Sequence, residues 1–165
     1  LVAGAVGSIF WGGDAVNEAL RTAAVGAASG AAVGAMSGAE RSKPQTPPPA
    51  GARSEVDRQL RAQLGDLNYA AGEELAHCRH VSAISRAEKA FAAESDPRRR
   101  NYALLIQAMA AEESGNTTKA NDIYARWGRL DPARADRGKA RTEALEGLLK
   151  VQKIRQDNGL PPLCT

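Results

Sequence analysis

The sequence predicts an all-α protein, and three observations predict it. Aromatic side chains make up only 4% of the 165 residues, and no run of β-branched residues offers a strand. Ala, Leu, Arg and Glu dominate, which are good helix formers. From residue 54 onward apolar residues return every three or four positions, the period of a helix face. The length gives room for one ordinary domain, or a smaller one with an appendage. The net charge of +3 comes from 22 basic and 19 acidic side chains that are interspersed, so nucleic acid is not an expected partner. No phosphate loop, nucleophile elbow or pair of catalytic carboxylates appears. The chain is therefore not expected to be an enzyme or to need a cofactor or metal. It opens on Leu1, which fits a processed signal or a fragment of a longer chain.

Taken in order, residues 1–39 are nearly all Gly, Ala, Val and Ser, with a polar interlude at Asp14, Asn17, Glu18 and Arg21. The uncharged stretch 23–39, as a helix, is about 25 Å long, slightly short for a bilayer core of ~30 Å. Within it Gly26, Gly30, Gly34 and Gly38 stand four apart, beside Ala27, Ala31, Ala35 and Ala39. On a helix these glycines form one stripe with no side chains to hold a neighbour away, so two backbones can approach closely. Each glycine costs a helix about 0.8–1.0 kcal/mol relative to alanine, so the stripe needs a packing partner. The segment resembles the glycine zippers of bacterial envelope proteins. That resemblance implies a membrane-associated or oligomerising helix and a periplasmic location. Two zipper geometries are open: a hairpin with residues 1–13 of the same chain, or a longer helix from about residue 14 packed against copies of itself. A low-complexity Ala/Gly segment is the plain alternative. Trp11, beside Phe10, suits a membrane interface.

Residues 40–53, "ERSKPQTPPPAGAR", hold four prolines and no apolar period, and read as an extended tether. Residues 54–165 then read as a domain of about five helices. Val56, Leu60, Leu64, Leu67, Ala71, Leu75 and Cys78 lie on one face of the first, with Ser54 as its cap. Further helices are expected over 82–94, 99–114, 117–130 and 133–156. "SDP" at 95–97, "ESGNT" at 113–117, "LDP" at 130–132 and "NGLPP" at 158–162 separate or end them.

The stretch 101–134, "NYALLIQAMAAEESGNTTKANDIYARWGRLDPAR", carries a further pattern. Leu104 is followed by the small Ala108, then by Ala120, Tyr124 and Pro132 at the intervals of a close-packed helix pair. Ile123 and Trp127 fill the wedge beside it. This resembles one tetratricopeptide repeat, with Gln107 and Ala111 departing where an aliphatic and an aromatic residue are usual. The resemblance implies a short helical-repeat domain of about two and a half hairpins. The last helix, with Leu145, Leu148, Leu149 and Ile154, would be its cap. An ordinary five-helix bundle fits the same residues.

Cys78 and Cys164 make one even pair, which in an oxidising compartment forms a disulfide that pins the C-terminal tail; two independent thiols are the alternative. Glu73, His77 and His80 have spacing for metal ligands on a helix, although solvated histidines account for them more simply. "DPRRR" at 96–100 is a short basic cluster, either a solvated face or a site for an acidic partner or lipid headgroups. The joint presence of zipper, tether and repeat leads to the expectation of an assembly subunit of a bacterial envelope complex, such as a secretion, pilus or motor apparatus. It would oligomerise or anchor through residues 1–39 and dock other protein subunits through 54–165. A membrane-anchored, peptide-binding or pilotin-like adaptor is the second expectation.

Overall fold

The computed structural model describes Arg58 and residues 61–164. The zipper glycines Gly26, Gly30, Gly34 and Gly38, the tether and the expected cap Ser54 lie outside the described residues. Within them the fold is all-α: α1 (Asp66–Ala76), α2 (His80–Ala93), α3 (Pro97–Glu113), α4 (Thr117–Leu130), a 3-10 turn (Pro132–Arg134) and α5 (Arg137–Asp157). Among the described residues no helix is long and apolar enough to cross a membrane.

The architecture follows from where small side chains fall. α3 packs against all four other helices and buries an unbroken run from Ala103 to Ala111. A helix apolar all round belongs at the centre. Its neighbour α2 buries only Ala83, Ala87 and Ala90, one helical stripe of methyl groups that lets the two axes come close. α4 fits its larger Ile123, Tyr124 and Trp127 around Ala120. α5 presents Ala140, Ala144, Leu148, Val151 and Ile154 to the same core.

The helix boundaries are set by caps that the sequence states plainly. Asp96 accepts from the backbone N–H of Arg98, with Pro97 in the first turn. "SDP" therefore opens α3 as well as closing α2, two residues before the expected start. Asn116 caps α4 through the Lys119 N–H, and Asp136 caps α5 through the N–H groups of Gly138 and Lys139. α5 consequently begins at Arg137, and Pro132 opens a 3-10 turn instead of the last helix.

Two expectations are corrected. The first helix does not run unbroken to Cys78. Gly65, at φ 81°, interrupts it after the helical residues 61–64, and α1 ends at Ala76. The interruption rotates the register, so Leu67 is exposed while Asn68 and Tyr69 are buried. Of the apolar residues expected on the capping helix α5, Leu148 and Ile154 are buried, while Leu145 and Leu149 are 40% and 65% exposed. With Leu148 and Ile154, the buried stripe takes in Ala140, Ala144, Gly147, Val151 and Arg155, and at Gly147 the Met109 side chain of α3 leaves no room for a Cβ.

Candidate functional site

The repeat-like residues lie where two helices meet. Leu104, Ala108, Ala120, Tyr124 and Trp127 are buried, and Pro132 is exposed on its turn. Their polar ends are satisfied. The Tyr124 hydroxyl donates to Glu112 Oε1 at 2.9 Å, and burial together with that carboxylate pushes its pKa well up. Trp127 Nε1 donates to Asn101 Oδ1 at 2.8 Å. Asp131 sits beside this pair. Burial would raise its carboxyl, but the Ala133 N–H and the Arg134 guanidinium outweigh burial and lower it.

The face of α3 between α2 and α4 carries a different chemistry. Arg100 from α3 and Arg126 from α4 both stack on Phe91 of α2, with guanidinium carbons 4.3 and 5.0 Å from the ring centre. Arg126 donates to Oε1 of the fully buried Gln107. Neither guanidinium meets a carboxylate among the described residues. Arg100 Nε and Gln107 Nε2 are buried N–H donors without an acceptor there. The face extends along the helices by register. Arg100 and Gln107 are seven apart on α3, Lys119 and Arg126 seven apart on α4, and Glu88 and Phe91 three apart on α2. Lys119 Nζ reaches Glu88 at 2.6 Å and ties α4 to α2 at the far end. Two half-buried cations on one ring, with spare donors behind them, form a place where an anion lowers the electrostatic energy.

The basic cluster 96–100 is therefore no single patch. Arg98 pairs with its own cap Asp96 at 3.5 Å, Arg99 turns back toward Glu94 at 3.3 Å, and only Arg100 joins the face.

A second polar cluster joins the far end of α1 to α3, α5 and the tail. Arg155 is fully buried, and all of its guanidinium N–H groups find acceptors. Nη1 and Nη2 reach Glu113 at 2.5 and 2.8 Å. Nε donates to the Ala76 carbonyl at 3.0 Å, Nη2 to Leu75 at 2.5 Å, and Nη1 to Pro162 at 3.2 Å. These carbonyls of Leu75 and Ala76 are the open end of α1, where a cation also complements the helix dipole. His80 Nε2 lies 2.9 Å from Glu113 Oε2. Burial alone would raise the Glu113 carboxyl, but its bonds to Arg155 and His80 outweigh that and hold it lowered.

Above this cluster Cys78 and Cys164 form a disulfide, with S–S 2.06 Å and Cα–Cα 5.6 Å across 86 residues. Cys78 occupies the left-handed position that ends α1, at φ 60°. Its N–H bonds back to Leu75 and that of Arg79 to Glu74, a helix-ending turn that the chain repeats with glycine at 115 and 159. A cysteine here carries about 1–2 kcal/mol of backbone strain, and its bond to the tail holds it in place. Glu73, His77 and His80 do not share one helix. His77 is exposed in the turn after α1, while His80 opens α2 and faces Glu113.

Arg155 escaped the sequence reading, although its signal was present. It falls four residues after Val151 on the stripe of Ala140, Ala144 and Leu148. An arginine at a core register needs a buried acceptor set. Compared with protein-family models, curated proteins and solved structures, the chain has no significant match.

Proposed function

We propose that residues 54–165 form a docking module that seats an acidic segment of another protein on the α2–α3–α4 face. The observation that carries this reading is the pair Arg100 and Arg126, stacked on Phe91 without a carboxylate partner among the described residues. A carboxylate entering between them gains charge-assisted bonds to two planar guanidinium groups that the ring already orients. Gln107 Nε2 offers a further N–H behind them. The zipper and the proline tether motivate the setting. Residues 1–39 fasten the chain in an oligomer or at a bacterial membrane, and residues 40–53 give the module reach toward other subunits of an envelope assembly. The disulfide suits the oxidising periplasm.

The test compares native assemblies extracted from membranes with mild detergent, carrying the wild-type chain, Arg100→Gln with Arg126→Gln, or Gly30→Leu. The arginine variant is expected to lose co-purifying subunits while keeping its own copy number. Gly30→Leu is expected to lower the copy number. If the arginine variant retains the same subunits in the same ratio, this face is not the docking surface. A chain that is monomeric in detergent, with an unaltered Gly30→Leu variant, removes the zipper half of the proposal.

A further inference from the structure

We infer that the Cys78–Cys164 bridge is one of two alternative states of its site, and that the reduced chain binds one zinc ion through Cys78, His80, Glu113 and Cys164. The geometry supplies the argument. Donor atoms of His80, Glu113 and Cys164 lie within 4.8 Å of one another, and the Cys78 sulfur is bonded to that of Cys164. Two thiolates, one imidazole and one carboxylate make a tetrahedral set of the kind zinc takes.

Cys78 stands outside that limit, so the four-ligand site requires its sulfur to swing toward His80 and Glu113 as the S–S bond opens. In a tetrahedral site with Zn–S near 2.3 Å, two sulfurs stand about 3.8 Å apart, so the bonded pair must separate. Nitrogen and oxygen ligands at about 2.0 Å stand roughly 3.3 Å apart, against 2.9 Å for His80 Nε2 and Glu113 Oε2. Opening the sulfurs displaces Cys164, which follows exposed Pro161, Pro162 and Leu163 in the tail, while His80 and Glu113 stay on α2 and α3.

The charges also balance. In the oxidised state buried Arg155 is neutralised by Glu113. In the metal state two thiolates and Glu113 carry three negative charges, and zinc with Arg155 carries three positive ones. Arg155 already bonds both carboxylate oxygens of Glu113, so it becomes the outer partner that orients this ligand. The chemistry is stoichiometric. A dithiol reductant transfers two electrons and two protons to the S–S bond and is itself oxidised to a disulfide. Zinc then displaces the two thiol protons. The same sulfurs cannot serve both states, so metal occupancy and the bridge exclude each other.

The experiment titrates Co²⁺ as a spectroscopic stand-in for zinc into the full chain, oxidised or held reduced without oxygen. The reduced chain is expected to take one Co²⁺, with a thiolate-to-cobalt charge-transfer band and the visible bands of a tetrahedral ion, and to surrender it to Zn²⁺. The oxidised chain is expected to show neither band. His80→Ala leaves the Arg155–Glu113 pair in place and is expected to weaken binding at least about tenfold. Cys78→Ser with Cys164→Ser is expected to abolish the charge-transfer band. Circular dichroism before each titration confirms that a variant is helical. A reduced, helical wild-type chain without tetrahedral cobalt bands overturns the inference. So does a site whose affinity is unchanged in His80→Ala, because that is a bare dithiol.

Discussion

Two helix C-terminal ends, that of residues 61–64 and that of α1, are each closed by an arginine from a distant helix, and the two closures differ in burial. Before Gly65, Arg99 donates from Nη2 to the Ala62 carbonyl at 2.6 Å and from Nε to that of Gln63 at 3.1 Å. It pairs with Glu94, and its side chain is 31% exposed. At the end of α1, Arg155 makes the same kind of contact to Leu75 and Ala76 and pairs with Glu113, but its side chain is 0% exposed. The chemistry is one and the consequences are not. Water can replace Arg99 at its carbonyls, so losing it costs only the difference between two solvations. Nothing replaces Arg155, so losing it strips Glu113 of its cation and the Ala76 carbonyl of its donor in the interior, while Leu75 keeps the Cys78 N–H and Glu113 keeps His80.

The largest expected effect follows. Arg155→Ala should destabilise the oxidised protein by about 3–5 kcal/mol, read as a lower urea midpoint at neutral pH. Adding Glu113→Leu to Arg155→Met removes the stranded charge. It should recover part of the loss but not all, because the Ala76 and Pro162 carbonyls still lack the donor. The pH dependence has a definite sign. The folded Glu113 carboxyl is held lowered, so its contribution is complete above the ordinary carboxylate range and is lost as pH falls through its depressed value. Glu113→Gln should flatten the acid limb of the stability curve. A cost for Arg155→Ala below about 1 kcal/mol would reduce this cluster to an ordinary surface pair.

Next in size is the bridge over that cluster. Cys78→Ser with Cys164→Ser should cost about 2–4 kcal/mol in thermal or urea unfolding, chiefly by freeing a long loop in the unfolded chain. The comparison sharpens if the loss is smaller in an Arg155→Ala background, since the tail carbonyl of Pro162 is also an Arg155 acceptor. Equal losses in both backgrounds would mean that bridge and arginine act independently.

These two ends also separate what the sequence expressed from what it concealed. The helical period, the breaks and the even cysteine pair were legible because each is a local signal: apolar spacing, Pro and Gly positions, composition. The bounds of α4, residues 117–130, were read directly, since Asn116 sits between a glycine and the first periodic residue. Gly65 was passed over because the leucines around it keep a helical interval straight through it, and only its φ of 81° shows the break. Leu145 and Leu149 show that an apolar residue on a helix is not thereby a buried one. α5 turns Leu148 and Ile154 inward instead, and where it passes Met109 a Cβ on Gly147 would stand 2.6 Å from Sδ. The pairing of His80 with Glu113 joins residues 33 apart, and that of Arg155 with Glu113 joins residues 42 apart. No local pattern encodes such distances. The metal candidates Glu73 and His77 fell away for the same reason, because α1 ends one turn too early to align them with His80.

A smaller effect is expected at the closure before Gly65. Gly65→Ala places a side chain at φ 81° and puts its Cβ 2.7 Å from Glu94 Oε1. The backbone term is about 1–2 kcal/mol. The carboxylate end can swing away, but only by loosening its pair with Arg99. Gly65→Ala and Arg99→Ala should therefore be less than additive when their urea midpoints are combined in a double-mutant cycle. Strict additivity would show that the clash is relieved without touching the arginine.

The smallest effect is the one that tests the comparison itself. Arg99→Ala should cost no more than about 1 kcal/mol, because a partly solvated pair is screened and its carbonyl partners can turn to water. That cost should shrink further between 0.05 and about 1 M salt, where the screening length falls to about 3 Å. The cost of Arg155→Ala should hold steady over the same range, since no counterion reaches a guanidinium with no exposed surface. Paired urea titrations of the two variants at both salt concentrations read this directly. If Arg99→Ala proves as costly as Arg155→Ala, or equally indifferent to salt, burial is not what distinguishes the two helix ends. The energy would then lie in the helix-end carbonyls that both arginines share.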